Sequence, residues 1–183
     1  MKKILFLLLL LGITLFPLFP GHEGWTQPKS EKKGPIITHA YAIDKGPLGT
    51  ILKRYIEADD PKGDMLRIAT VVDHVGYGSY PTDWTFVKPQ NRSHLIGYLQ
   101  WSTLSSSAGW IDEWTQITIS VSVFDKSGNE SNVVVFPFVF ETGKRSEPQP
   151  PAPFDKGNIP KLGNVMIQLR GTTDAHEGRD LIP

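Results

Sequence analysis

The chain of 183 residues contains no cysteine. That excludes disulfides, thiolate zinc and iron–sulfur sites, cysteine nucleophiles and lipid attachment through cysteine. Charge of one sign is not in excess either. Lys and Arg number 19, Asp and Glu number 19, and the formal net charge is 0, which excludes a generally basic nucleic-acid binder and an acidic solvating chain. Beyond residue 20 no stretch keeps a 3.6-residue apolar period over three turns, so helices are not expected to carry the fold. Motifs of reactive centres are missing as well. His22, His39, His74, His94 and His176 include no i, i+4 pair and no H-E-x-x-H, the spacings a histidine metal site would use. There is no G-x-S-x-G elbow and no Gly-rich phosphate loop opening a helix. Asp112 and Glu113 are adjacent, and neighbours on an extended chain point to opposite sides, which does not suit a pair of catalytic carboxylates. The expectation is a non-catalytic chain that needs no cofactor.

What is present begins with a basic start, Lys2-Lys3, followed by a charge-free apolar run over residues 4–19. This is the pattern of a secretory signal. The run is interrupted by Pro17 and is shorter than the ~20 residues that cross a bilayer comfortably. Small residues suited to cleavage are sparse around Gly21 and Gly24. Residues 1–20 are therefore read as a signal peptide or an uncleaved signal anchor. Both place the remainder outside the cytoplasmic membrane, in a periplasmic, cell-surface or extracellular location, with membrane contact only through an uncleaved anchor. Residues 21–34 are polar, punctuated by Gly and Pro, and read as a disordered leader. Residues 143–160 carry Pro148, Pro150, Pro151 and Pro153 and read as an extended Pro-rich linker. Residues 161–183 form a tail with room for a short strand over 164–169.

Residues 35–142 read as strand after strand. In 115–125 Ile117, Ile119, Val121 and Val123 alternate with Thr118, Ser120 and Ser122, the period of two expected of a strand with one face buried. Residues 132–141 are apolar on both faces, so cover is expected on both, and Val165, Ile167 and Leu169 of the tail are available to supply it. Pro137 cannot donate to a ladder and must face an edge or a bulge. Further strands are expected over 35–44, 50–58, 65–74, 84–88 and 94–103, separated by turn formers. About seven strands in such a length indicate an all-β, antiparallel sandwich of two sheets.

Two stretches resemble known domains. Residues 123–131 (VFDKSGNES) look like the hairpin joining the last two strands of bacterial immunoglobulin-like and fibronectin type III-like domains. Residues 55–65 (YIEADDPKGDM) are similar to the A-x-D-P-x-G-D turn of bacterial cadherin-like extracellular domains. The resemblance covers residues 35–142. It implies an immunoglobulin-like β-sandwich acting as a spacer, adhesion or recognition module of the cell envelope. It also implies calcium ligands at Asp59, Asp60 and Asp64. Three carboxylates are about half of the six to eight oxygens calcium takes, and Lys62 brings positive charge into the same turn. The competing reading is that Asp59 and Asp60 cap the turn while Gly63 permits its backbone.

Aromatic residues carry the binding potential. Tyr77, Tyr80, Trp84 and Phe86 fall in or beside one loop, and Trp110 and Trp114 bracket 111–113 in another. Exposed rings with neighbouring carboxylates and amides suit a partner's apolar anchor or a sugar ring. The competing reading places these rings inside the sandwich or across its ends. The expected partner is a protein or a glycan of the cell envelope. The leading expectation is a structural or interaction component, with a carbohydrate-binding module as the alternative.

Overall fold

The alternation of Ile117, Ile119, Val121 and Val123 does build a strand, and all four side chains are buried. The computed structural model describes residues 34–104, 111, 113–143 and 148–170. The signal or anchor over 1–20, nearly all of the leader, Trp110 and the end of the tail lie outside the described residues. Ten strands follow in chain order: β1 (Ile36–Tyr41), β2 (Lys45–Gly46), β3 (Ile51–Asp59), β4 (Met65–His74), β5 (Gly78–Ser79), β6 (Asp83–Phe86), β7 (His94–Ser102), β8 (Gln116–Asp125), β9 (Val134–Phe140) and β10 (Lys161–Val165). A short 3-10 turn at Pro89–Asn91 separates β6 from β7.

The strands form two sheets. One has the order β1-β3-β7-β10. The other runs β2-β9-β8-β4-β5, with β6 also paired to β4. Apolar side chains from both sheets meet in a single core, with Leu52, Ile56, Leu99 and Trp101 on one side and Ile68, Val72, Ile119 and Phe138 on the other. The fold is therefore an all-β sandwich. Its central strands repeat the immunoglobulin arrangement, in which the first, second and fifth principal strands share one sheet and the third, sixth and seventh share the other. Two pairings correct the purely antiparallel expectation: β2 runs parallel to β9, and β10 runs parallel to β7. β2 and β10 are edge strands, and neither is joined to its partner by a hairpin that would dictate its direction.

Turn chemistry sets the β8–β9 hairpin. Asp125 accepts hydrogen bonds from the Asn129 backbone N–H at 2.8 Å and from its Nδ2 at 2.7 Å. Gly128 takes φ +81° between them, a conformation that favours glycine. Beyond the turn, Asn132 ties the two sheets together. Its Oδ1 accepts from the Ile37 N–H at 2.8 Å and its Nδ2 donates to the Ile37 carbonyl at 3.1 Å. One side-chain amide thus satisfies an edge position of β1 as a neighbouring strand would.

The largest departure from expectation lies after residue 142. Residues 148–170, read as linker and tail, are part of the sandwich. Phe154 is buried and its ring lies 5.4 Å from that of Tyr55. The Tyr98 N–H donates to the Pro160 carbonyl at 3.0 Å, after which β10 pairs with β7. The sandwich therefore takes in described residues beyond 142, the boundary that composition suggested. Two glycines let β10 approach. A Cβ at Gly97 would stand 2.5 Å from the Leu162 side chain and 2.7 Å from the Pro160 oxygen, and one at Gly163 would stand 2.5 Å from Thr85. Val165, in the sheet opposite β9, and Leu169, beyond the end of β10, are buried here. The outer face of β9 keeps Val133 and Val135 exposed, which corrects the expected cover. Its edge is managed differently. Val139 and Glu141 donate outward to Asp44 and Gly46, so alternation puts the missing N–H of Pro137 on that same open edge, where no ladder bond is lost.

Candidate functional site

The expected calcium ligands lie at the turn between β3 and β4. Asp60 is buried. Its Oδ1 accepts from the Lys62 N–H at 3.1 Å and its Oδ2 from the Asp64 N–H at 3.0 Å. Both oxygens therefore serve as turn caps. Asp59 is exposed and pairs with His94 Nδ1 at 2.8 Å. The acids close to Asp64 are Asp60 and Asp125. Desolvation, a hydrogen bond with Asp60 and the charges of Asp125 and Asp60 raise the Asp64 pKa above the ordinary carboxylate value, with Lys62 opposing. Among the described residues no group of three or more His, Asp or Glu side chains is arranged to hold a metal ion.

Four of the five aromatic candidates, Tyr77, Tyr80, Trp84 and Trp114, lie among the described residues, and they separate. Tyr80 is only 8% exposed, so it is a structural ring and not a free platform. Tyr77 is half-buried and stacks on it, with centroids 5.1 Å apart and planes 19° apart. The His74 ring lies against both, 6.3 Å and 12° from Tyr80 and 5.7 Å and 31° from Tyr77. The Tyr80 hydroxyl sits between two chain segments. It lies 3.1 Å from His74 Nδ1 and accepts the Arg170 N–H at 3.0 Å. Burial lowers the His74 pKa and so favours the neutral ring, whose Nδ1 can take the tyrosine proton. Burial raises the Tyr80 pKa, against the pull of the Arg170 amide.

Tyr77 and Tyr80 line a groove of about 610 Å³. Its walls are Ser79 to Asp83 on one side and Met166 to Gln168 with Arg170 on the other. The participation of residues 166–170 was not anticipated. Their alternating apolar residues signalled a strand, yet nothing local signalled that its end would lie against Tyr80. The Ser79 hydroxyl donates to Asp73 Oδ1.

Trp84 and Phe86 lie elsewhere, on the outward face of the larger sheet. Pairing places Phe86, Arg67 and Phe124 in one row across β6, β4 and β8, and Trp84, Ala69 and Ser122 in another. The Arg67 guanidinium lies 4.0 Å from the Trp84 centroid and 5.7 Å from that of Phe124. Trp84 is 39% exposed and Phe86 69%. Arg67 had not been singled out, although its position one residue from Ile68 on an alternating strand already put it on the outer face. Trp114 is 65% exposed at φ +72°, and its N–H donates to the Phe140 carbonyl. It lines neither the groove nor this patch.

No protein-family model and no curated protein matches the sequence. Among solved structures the chain is similar to the PKD domain of an M14-like peptidase from a Thermoplasmatales archaeon, at 15% identity and a TM-score of 0.38, covering 60% of this chain and 97% of that one. It is also similar to the CARDB domain of a Pyrococcus furiosus protein, solved in complex with di-metal ions, at 11% identity and a TM-score of 0.33, covering 61% and 97%. The assignment of a sandwich rests on the two sheets and their shared core.

Proposed function

We propose that this chain is a non-catalytic, exported contact module of the cell envelope that binds a protein partner through the outward face of its larger sheet. The observation that supports this is the Arg67–Trp84–Phe124 cluster, its two rings edge to face, with Phe86 exposed beside it. Trp and Arg are the residues most enriched among interface hot spots. The rings give a rigid apolar surface with little entropy to lose, and the stacked guanidinium places one fixed positive charge in its middle. The complementary partner surface is a carboxylate flanked by apolar side chains.

The reading is tested by placing a photo-reactive phenylalanine analogue at Phe86 in cells and identifying the protein it captures. Affinity is then measured with purified partner. Trp84→Ala should weaken binding by at least about tenfold, while Trp114→Ala should leave it unchanged. An affinity indifferent to Trp84→Ala would reject the surface. Export is read from the hydrophobic start of the chain and is checked by fractionating cells that express the full chain.

A further inference from the structure

We infer that the groove between β5–β6 and the chain following β10 is a second binding site, for neutral oligosaccharides, with Tyr77 as its stacking surface. It is distinct from the Arg67–Trp84 patch and does not depend on it. The Tyr77 ring is held in place by two others, lying 5.1 Å from that of Tyr80 and 5.7 Å from that of His74. That platform is in place before a ligand arrives, so little ordering cost remains at binding. The half-buried ring lines the groove. The C–H face of a pyranose matches the electron-rich face of such a ring.

The walls decide the ligand's charge. Asp83 and Arg170 line the groove together with Ser79, Thr82 and Gln168. The two ionised groups are of opposite sign, so an anionic ligand meets Asp83 and a cationic one meets Arg170. A hydroxyl donates and accepts, and a row of hydroxyls can satisfy the carboxylate, the guanidinium and the neutral amide at once. The volume of about 610 Å³ falls within the roughly 300–1,000 Å³ of small-molecule sites. The site is assembled from stretches 90 residues apart, joined where the Arg170 N–H meets the Tyr80 hydroxyl.

The test is calorimetric titration of the full chain with cellotetraose, chitotetraose, maltotetraose and mannotetraose. A galacturonic acid tetramer and a glucosamine tetramer serve as charged counterparts. At least one neutral tetramer is expected to bind more tightly than both charged ones. Tyr77→Leu and Arg170→Ala should each weaken it by about tenfold, and Trp84→Ala should leave it unchanged. Tyr77 packs against the core, so should Tyr77→Leu fail to fold, the exposed-residue variants Arg170→Ala and Gln168→Ala decide. Failure of every neutral tetramer to bind, preference for a charged tetramer, or binding insensitive to the groove variants overturns the inference. Loss of binding in Trp84→Ala alone would move the sugar to the sheet face and overturn it equally.

Discussion

Arg54 occupies a core-facing position of β3, between Leu52 and Ile56, and is 0% exposed. Among the described residues none of its guanidinium nitrogens has a hydrogen-bond partner. Its compensation is the Trp101 ring, 5.4 Å away, and the more distant charge of Asp83. A desolvated cation–π contact contributes about 2 kcal/mol, whereas taking a guanidinium out of water costs several kcal/mol even after relaxation. Desolvation wins, and burial pushes the pKa down to about 9. Arg54→Met keeps the length of the side chain and removes the charge. It is expected to raise unfolding stability by about 1–3 kcal/mol, read as a higher urea midpoint at unchanged slope. The pH dependence has a definite sign. Above about pH 9 the folded state sheds a proton that the unfolded state keeps, so wild-type stability should gain from this group as pH rises there. The methionine variant should lack that gain. An equal or lower midpoint in the variant would mean that Asp83 and Trp101 more than offset the burial. The period of two along 50–58 already fixed the side of the sheet on which residue 54 falls. Its composition disguised this, because a charged residue in such a pattern is ordinarily solvated.

Strand β10 owes its place to a hole. Gly97 interrupts the side chains on the inner face of β7, and Leu162 together with the Pro160 carbonyl comes within what would be a Cβ contact there. Gly97→Ala should therefore push β10 off β7 and leave the antiparallel strands in place. The expected cost is about 1–3 kcal/mol, as for other overpacked cores. It should appear as faster amide exchange confined to residues 161–165, with β4 and β8 unaffected. Uniform acceleration across both sheets would mean that β10 is not a separable element. The contrast with β4 explains what could be read in advance. The alternation over 65–74 predicts a strand with the ends observed, because one strand's pattern records which of its own faces is buried. It does not record which edge it joins. The apolar residues 165, 167 and 169 were visible as such, but their sheet depended on a missing side chain 68 residues earlier. The same limit applies to the groove, which depends on where the end of this segment comes to rest.

A sandwich has two open flanks, and this one closes each with a different device. On one flank the Asn132 amide joins β1 to the start of β9. On the other, β10 lies close enough to β6 that Gly163 leaves no room for a Cβ beside Thr85. The second device arrives with the segment after residue 142, so stability of the whole should hinge on it. Phe154, Val165 and Leu169 are all buried. At about 1.5–3 kcal/mol for each such side chain, their burial contributes on the order of 5–9 kcal/mol. That is comparable with the ~5–15 kcal/mol that holds a typical domain together. The Trp101 Nε1–H would also lose its 2.7 Å bond to the Ile167 carbonyl, leaving a buried donor unsatisfied. A chain ending at residue 142, the boundary suggested by composition, should therefore lose its cooperative melt, bind a hydrophobic dye and show weak near-ultraviolet dichroism. A chain ending at residue 170 should keep a sharp transition. If the shorter chain melts as sharply and as high as the longer one, the tail is an ornament on a self-sufficient core, and the sugar groove, whose far wall is residues 166–170, loses its structural basis as well.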